Sequence, residues 1–190
     1  MNDLLSKKKV DLSKYDNAWY SKNLENKYKR VIWYFFNSIF FKSSFNVSCS
    51  LKIKLLRFFG AKIGQNVVIK PCVNIKYPWN LIVGDHVWLG EKVWIDNLVM
   101  VEIGDNVCLS QGAMLLCGNH NYKTETFDLR VGTIRIEEGV WVGAQAIVGP
   151  GVTLHSHSVL SLRGVATRDL DSYYIYQGNP AVKVRERVIS

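Results

Sequence analysis

The histidine best suited to chemistry in this sequence is His120. It lies in the run Gly118-Asn119-His120-Asn121-Tyr122, among small and amide side chains. Near neutral pH an imidazole can take up a proton and return it, which is what a general base acting on a hydroxyl group requires. The sequence therefore predicts His120 as a catalytic base, with Asn119 and Tyr122 as candidate substrate contacts.

The other histidines are His86, His155 and His157. His155 and His157 occupy regular turn positions, which is typical of solvent-facing residues. A zinc site of the carbonic-anhydrase type would need three histidines converging at one place, and His86 and His120 are too isolated for that. We therefore expect no metal.

Cysteine offers an alternative, covalent chemistry. Cys117 lies three residues before His120, but nothing near it in sequence is suited to hold a thiolate. We therefore expect direct transfer without a covalent enzyme intermediate. Cys49, Cys72 and Cys108 complete a set without paired spacing, and no signal peptide precedes them, which favours reduced thiols in a cytoplasmic protein.

These candidate residues belong to a six-residue repeat that must position them. An aliphatic residue recurs every sixth position, often followed directly by glycine. A fixed hexapeptide period is typical of a parallel β-helix in which three hexads form one triangular coil. The key residues are Ile63, Ile69, Ile75, Val83, Leu89, Ile95, Ile103, Leu109, Leu115, Ile136, Val142, Val148, Leu154, Leu160 and Ala166.

The repeat loses its phase three times, after Ile75, Ile95 and Leu115. Each break follows the third hexad of a coil, so all three insertions are predicted to leave from the same corner. The last is a long loop, residues 118–135, that carries His120, and long loops in compact folds are often functional. Asp96 and Asn97 lie just before the second break, where they could bind substrate or orient the imidazole. A corner turn that favours Asp and Asn explains them equally well.

The formal charge of the chain is +8, and the basic excess is concentrated in residues 1–60. Such a balance indicates anionic partners: nucleotide phosphates, nucleic acid or a membrane surface. We expect no nucleic acid, because no binding module is recognisable and the aromatic residues of 31–41 form one apolar run.

The run 31–41 is too short to cross a membrane, which takes about 20 residues. It either packs on the end of the β-helix or contacts a membrane surface. Residues 51–59 predict an amphipathic helix that caps the coil stack, with Lys52, Lys54 and Arg57 between its apolar positions. The predicted organisation is an N-terminal extension (1–60) with amphipathic and aromatic helical segments, a β-helix domain (61–171) and a short C-terminal tail (172–190).

The hexads, the His120 loop and the C-terminal stretch 176–181 together resemble the hexapeptide-repeat acetyltransferases. The likeness is strongest to the colanic-acid biosynthesis acetyltransferases, bacterial enzymes that O-acetylate precursors of extracellular polysaccharide. It extends over nearly the whole chain, including Trp19, Tyr20 and residues 11–17, 59–64, 74–80, 94–97 and 110–113. The resemblance implies an all-β, left-handed parallel β-helix of about five coils, assembled as a homotrimer.

The resemblance also implies the site. His120 corresponds to the catalytic histidine of the family, and acetyl-CoA is the implied co-substrate. The residues that match its cofactor-binding positions, or stand in for them, are Trp141, Gly143, Ala144, Leu162, Thr167, Lys183 and Arg185.

The function that follows is transfer of an acetyl group from acetyl-CoA to a sugar hydroxyl in polysaccharide biosynthesis. The acceptor is free, nucleotide-linked or lipid-linked, and the enzyme is cytoplasmic or works at the inner face of the plasma membrane. Two alternatives stay open: N-acetylation of an amino sugar, and a non-catalytic β-helix scaffold at the membrane.

Overall fold

The computed structural model describes residues 8–16, 18, 27–45 and 47–190. Asn17, Trp19 and Tyr20, which belong to the N-terminal likeness, lie outside the described residues.

Short strands in three sheets form the body of the protein, and all pairs in these sheets are parallel except the last pair of sheet B, β18 with β19. Sheet A contains β1 (Lys62–Ile63), β4 (Leu81–Val83), β7 (Val101–Ile103), β12 (Ile134–Ile136) and β15 (Thr153–Leu154). Sheet B contains β2 (Val68–Ile69), β5 (Trp88–Leu89), β8 (Cys108–Leu109), β13 (Trp141–Val142), β16 (Val159–Leu160), β18 (Tyr174–Gln177) and β19 (Val182–Glu186). Sheet C contains β3 (Asn74–Ile75), β6 (Trp94–Asp96), β9 (Met114–Leu116), β14 (Ile147–Val148) and β17 (Val165–Ala166).

The chain visits the sheets in the order A, B, C and so builds a triangular parallel β-helix. Five coils are complete, and a partial sixth follows, with Leu170 bridged to Leu154 and β18 paired with β16. The prediction of about five coils is confirmed apart from this last part. All fifteen key residues point inward, since none is more than 9% exposed.

The corners between sides share one conformation that the hexad pattern had not revealed. Three residues after a key residue, the backbone is left-handed wherever the repeat is regular, as at His86 (φ 57°) and Lys92 (φ 59°). This conformation is disfavoured for residues with a Cβ atom. Positive φ is absent three residues after Ile75, Ile95 and Leu115, which are the corners where the chain leaves the repeat.

All three insertions leave between sheet C and sheet A, as predicted. The first contains a 3₁₀ helix (Pro78–Asn80), and the third contains an antiparallel hairpin of β10 (Gly118–His120) and β11 (Leu129–Val131). The predicted loop 118–135 is therefore an ordered β-hairpin, and its last two residues belong to β12.

In the described part of the chain, three helices cover the N-terminal end of the coils: α1 (Lys27–Phe36), a π-helix (Asn37–Phe41) and α2 (Cys49–Phe58). In these sheets the carbonyl of a key residue accepts a backbone N–H group from the coil before it, as Val83 O does from Gly64 N (2.8 Å). The first coil has no coil before it, so its own carbonyls need other donors. Side chains of the helices supply them on all three sides: Arg57 Nη2 to Ile63 O (2.7 Å), Lys52 Nζ to Ile69 O (3.3 Å) and Trp33 Nε1 to Ile75 O (2.9 Å).

The predicted capping helix over 51–59 is present as α2, but its polar positions differ from the expectation. Lys52 was expected on the solvent side, whereas its side chain is completely buried under the first coil. Burial lowers the pKa of its amine. Phe58, one of the apolar residues of the predicted helix, is 82% exposed.

The aromatic run 31–41 packs on the β-helix through one face only. Trp33, Asn37 and Phe41 follow a spacing of four residues and are buried. The opposite face is open, with more than 40% exposure at Val31, Ile32, Tyr34, Phe35 and Ile39. Among the described residues, no helix has the length and apolarity needed to span a bilayer.

Candidate active site

His120 is the last residue of β10, and its ring is held on three sides. Its Nδ1 lies 2.9 Å from the carbonyl oxygen of Phe127. The ring of Phe127 stacks on it at 4.5 Å with an interplanar angle of 7°, and Tyr15 lies 5.7 Å away. A carbonyl oxygen can only accept, so Nδ1 carries the proton in this bond. The second nitrogen, Nε2, then has its lone pair available to accept a proton.

The N-terminal segment fastens the outer side of this hairpin. The backbone N–H of Asp11 donates to the carbonyl of Glu125 (2.9 Å), and Lys14 forms an ion pair with the Glu125 carboxylate. These contacts bring Tyr15 against His120, although more than 100 residues separate them in sequence.

The structure removes Cys117 from consideration as a nucleophile. Its side chain is buried, and burial raises the pKa of the thiol to about 12. A thiol with that pKa stays protonated at neutral pH, whereas the reactive form is the thiolate.

Asp96 and Asn97 occupy the same corner as the His120 hairpin, one coil earlier. Asn97 is fully buried, and its amide bonds the backbone of Tyr77 and Asn80. It therefore holds the corner together, which is the alternative that the sequence left open. Asp96 is 17% exposed and forms an ion pair with Lys76 at 2.8 Å, so its carboxylate borders solvent-accessible space.

Asn119 and Tyr122 flank His120 and are exposed. The Asn119 side-chain oxygen accepts the backbone N–H of His120 (2.7 Å), and the N–H of Tyr122 donates to the carbonyl of His120 (3.1 Å). Both residues thus fix the backbone around the histidine.

Four of the predicted cofactor residues cluster on sheet B and its corner with sheet C. Trp141 lies on the outer face of β13, is 47% exposed and donates from Nε1 to Ser110 Oγ (2.9 Å). Gly143, Ala144 and Leu162 follow at the adjacent corner, where Leu162 is 71% exposed. Gly143 also has a packing reason, because a Cβ atom there would lie 2.5 Å from the backbone nitrogen of Leu162.

The remaining predicted cofactor residues lie elsewhere. Thr167 is at the next corner, between sheets C and A, and is not part of the Trp141 cluster. Lys183 and Arg185 are on β19, three strands from β13 in sheet B, a separation of about 14 Å at ~4.8 Å per strand. Lys183 forms an ion pair with Asp171 and lies over the ring of Tyr174 at 4.0 Å.

Within one chain, the histidine and the tryptophan cluster lie on opposite sides of the triangular coil. Trp141 projects from sheet B, whereas His120 projects from the corner where sheets C and A meet. In a triangle that corner is opposite to side B, and the hydrophobic core separates the two. A single chain therefore does not bring its predicted base to its predicted cofactor residues.

Residues that sequence reasoning missed line a cavity of about 480 Å³ between α1, the π-helix and the outer face of sheet C. Its wall includes Asp96 together with Lys27, Arg30 and Lys42 from the helical cap. No local signal marks these basic residues, because the cavity exists only where the cap meets the coils.

The comparisons with known proteins agree with this architecture. No protein-family model matches the chain. The chain is 37% identical over 163 residues to the Escherichia coli (strain K12) protein named "Putative colanic acid biosynthesis acetyltransferase WcaF", covering 86% of this chain and 90% of that protein. It belongs to this family of hexapeptide-repeat acetyltransferases. The galactoside O-acetyltransferase of the same organism is 27% identical, with 70% of this chain and 66% of that protein covered.

A solved structure gives the fold directly. The hexapeptide-repeat acetyltransferase of Vibrio cholerae O1 biovar eltor, complexed with acetyl-CoA, aligns with a TM-score of 0.79 at 20% identity over 100% of both chains. The predicted left-handed parallel β-helix is confirmed. The predicted enzyme class, an acetyl-CoA-dependent acetyltransferase, is confirmed as well. Among the described residues, no group of three His, Cys, Asp or Glu side chains is placed to hold a metal ion.

Proposed function

We propose that this acetyltransferase moves the acetyl group of acetyl-CoA to a sugar hydroxyl, with His120 as the general base. The observation that carries the proposal is the bond from His120 Nδ1 to the Phe127 carbonyl (2.9 Å), which leaves Nε2 as the proton acceptor. The name of the E. coli relative, 37% identical, supports a role in extracellular polysaccharide biosynthesis.

The reaction is a direct transfer. The acceptor hydroxyl donates to His120 Nε2, and its oxygen attacks the thioester carbonyl carbon as the proton moves to the imidazole. The tetrahedral intermediate then expels the CoA thiolate, which takes the proton from the imidazolium. The products are the sugar ester and CoA with a free thiol. The Phe127 carbonyl, bonded to Nδ1–H, stabilises the imidazolium between the two proton transfers.

The active site lies between two copies of the chain. Because His120 and Trp141 are on opposite sides of the β-helix of one chain, the hairpin of one copy must meet sheet B of its neighbour. Such a contact joins two different surfaces, and repeated by rotation it closes into a ring. The sequence resemblance implies a homotrimer, and three triangular β-helices can pack side by side into such a closed ring.

The enzyme works at the inner face of the plasma membrane. The open face of α1 and the π-helix exposes aromatic and aliphatic side chains beside basic residues of the cap, which is typical of peripheral membrane contact. Co-sedimentation of the full chain with anionic vesicles tests this contact; a chain that stays in the supernatant contradicts it.

The decisive experiment compares His120→Ala with the unaltered enzyme in a thiol-release assay. The acceptors are free, nucleotide-linked and lipid-linked sugars, each as a matched hydroxyl and amine pair. We expect the variant to lose more than about 100-fold in kcat while keeping its melting temperature and its affinity for CoA. Full turnover by the variant rules out His120 as the base. Faster transfer to the amine acceptors than to the matched hydroxyl acceptors shows that the enzyme is an N-acetyltransferase and contradicts the proposed O-acetylation.

A further inference from the structure

The cavity beneath the helical cap has a chemical character of its own. Its described lining residues include four cationic side chains and only one carboxylate, that of Asp96. Lys76 is paired with this carboxylate at 2.8 Å, so the positive excess comes from Lys27 and Lys42. Within the described part of the chain, neither Lys27 nor Lys42 has an ion-pair partner. A concave surface with this excess attracts an anion.

A buried amide in the cavity wall also lacks a partner. Asn37 is only 6% exposed and lines the cavity. Its Nδ2 donates to Asn74 Oδ1 at 2.8 Å, but no described residue donates to its Oδ1. Asp96 stands in the same wall, with its carboxylate paired to Lys76. Buried polar atoms are normally satisfied, so the open acceptor of Asn37 points to a ligand that carries a hydroxyl group.

Aromatic rings complete the lining. Trp94 is 39% exposed, and Tyr34 and the buried Tyr77 also line the cavity. An aromatic face beside hydroxyl-accepting groups suits a sugar ring, and cations a short distance away suit a phosphate on that sugar.

The cavity lies within reach of the catalytic histidine. Cys117 N donates to Asp96 O at 3.3 Å, and His120 follows three residues later, about 10 Å further at ~3.3 Å per extended residue. A ligand held against Asp96 and extending along the corner would therefore present a second part of its structure to His120.

We propose that this cavity binds the phosphorylated end of the acceptor, so that the enzyme acetylates a glycosyl phosphate or diphosphate in preference to a free sugar. This inference rests on the proposed acetyl transfer to a sugar. Asn37 and Asp96 accept sugar hydroxyls, and Lys27 and Lys42 bind the phosphate. The phosphate can come from a nucleotide or from a lipid carrier, and the exposed face of α1 adjoins the cavity through Val31 and Tyr34.

The test begins with binding, because binding does not require turnover. The full-length protein is titrated calorimetrically with inorganic pyrophosphate, UDP and farnesyl diphosphate. We expect Lys42→Glu and Lys27→Glu to weaken pyrophosphate binding about tenfold or more, as loss of a charged hydrogen bond does. Lys54→Glu, the same charge change at an exposed position of α2 outside the cavity, should change it less than about twofold. If Lys42→Glu does not fold, Lys42→Gln replaces it.

The outcomes separate the two sources and the two proposals. Tighter binding of UDP than of pyrophosphate indicates a nucleotide-linked acceptor, and tighter binding of farnesyl diphosphate indicates a lipid-linked one. Absent pyrophosphate binding, or equal weakening by Lys54→Glu, overturns the cavity inference. Selective binding without acetyl transfer to any acceptor overturns the proposed function alone. With phosphorylated acceptors, Lys42→Glu should raise KM and leave kcat unchanged, whereas a KM equal to that of the unaltered enzyme contradicts the inference.

Discussion

At the scale of single residues, the unusual backbone at Phe127 explains how the histidine is oriented. Phe127 has φ of 52°, a left-handed conformation that costs a residue with a Cβ atom about 1–2 kcal/mol. With this backbone conformation, the Phe127 carbonyl accepts a hydrogen bond from His120 Nδ1 and the Phe127 ring stacks on the imidazole. Strain at a position that contacts the proposed catalytic base is consistent with selection for orientation rather than stability.

Phe127→Ala should therefore lower kcat about tenfold, because the imidazole loses its stacking partner and samples unproductive orientations. The KM for acetyl-CoA should change little, since the ring does not line the Trp141 cluster. Steady-state kinetics across the pH range provide the measurement, and Phe58→Ala, which removes an exposed ring from the cap away from the hairpin, is the matched control. An unchanged kcat in Phe127→Ala shows that the stacking has no part in catalysis.

At the scale of elements, the helical cap stabilises the coils through hydrogen bonds as well as apolar contacts. The first coil has carbonyls on each side without a preceding strand, and one side chain of the cap reaches each side. Of these three side chains, Lys52 depends most on its hydrogen bonds, because burying an amine without acceptors costs free energy. Its acceptors are the carbonyls of Ile69 and Lys70.

Lys52→Met should destabilise the protein by about 1–3 kcal/mol, since the two carbonyls lose their donor while remaining buried under the cap. Lys54→Met is the matched control, because Lys54 is exposed on the same helix and its loss should stay within about 0.5 kcal/mol. Chemical denaturation of both variants measures the difference. Equal stabilities of the two would show that Lys52 has no role in capping the coil.

At the scale of the whole molecule, the position of His120 opposite Trp141 predicts a site shared between copies. His120→Ala and Trp141→Ala should each be inactive alone, the first for lack of a base and the second for lack of a cofactor contact. Co-refolded in equal amounts, they should recover about a quarter of the unaltered activity, because one interface in four pairs an intact His120 with an intact Trp141. A site formed within one chain would give no recovery, since every chain then carries one defective residue.

The sequence by itself determined the architecture and the position of the loop that carries the proposed base, His120. A six-residue period places every key side chain in the core, and the phase breaks locate the corner where chain leaves the repeat, because both follow from local geometry. The sequence also predicted His120, the Trp141 cluster and the family, because their motifs can be located within the hexad repeat.

Only the tertiary structure decided which of these residues meet. Asn97 is a corner residue with every amide atom used, Lys52 lies inside, and Tyr15 reaches His120 from more than 100 residues away. The cationic cavity forms where Lys27 and Lys42 of the cap meet Asp96 of the second coil. These contacts join segments without a common period, so their pairing depends on how the cap and hairpin fold back onto the coils, and no local pattern encodes it.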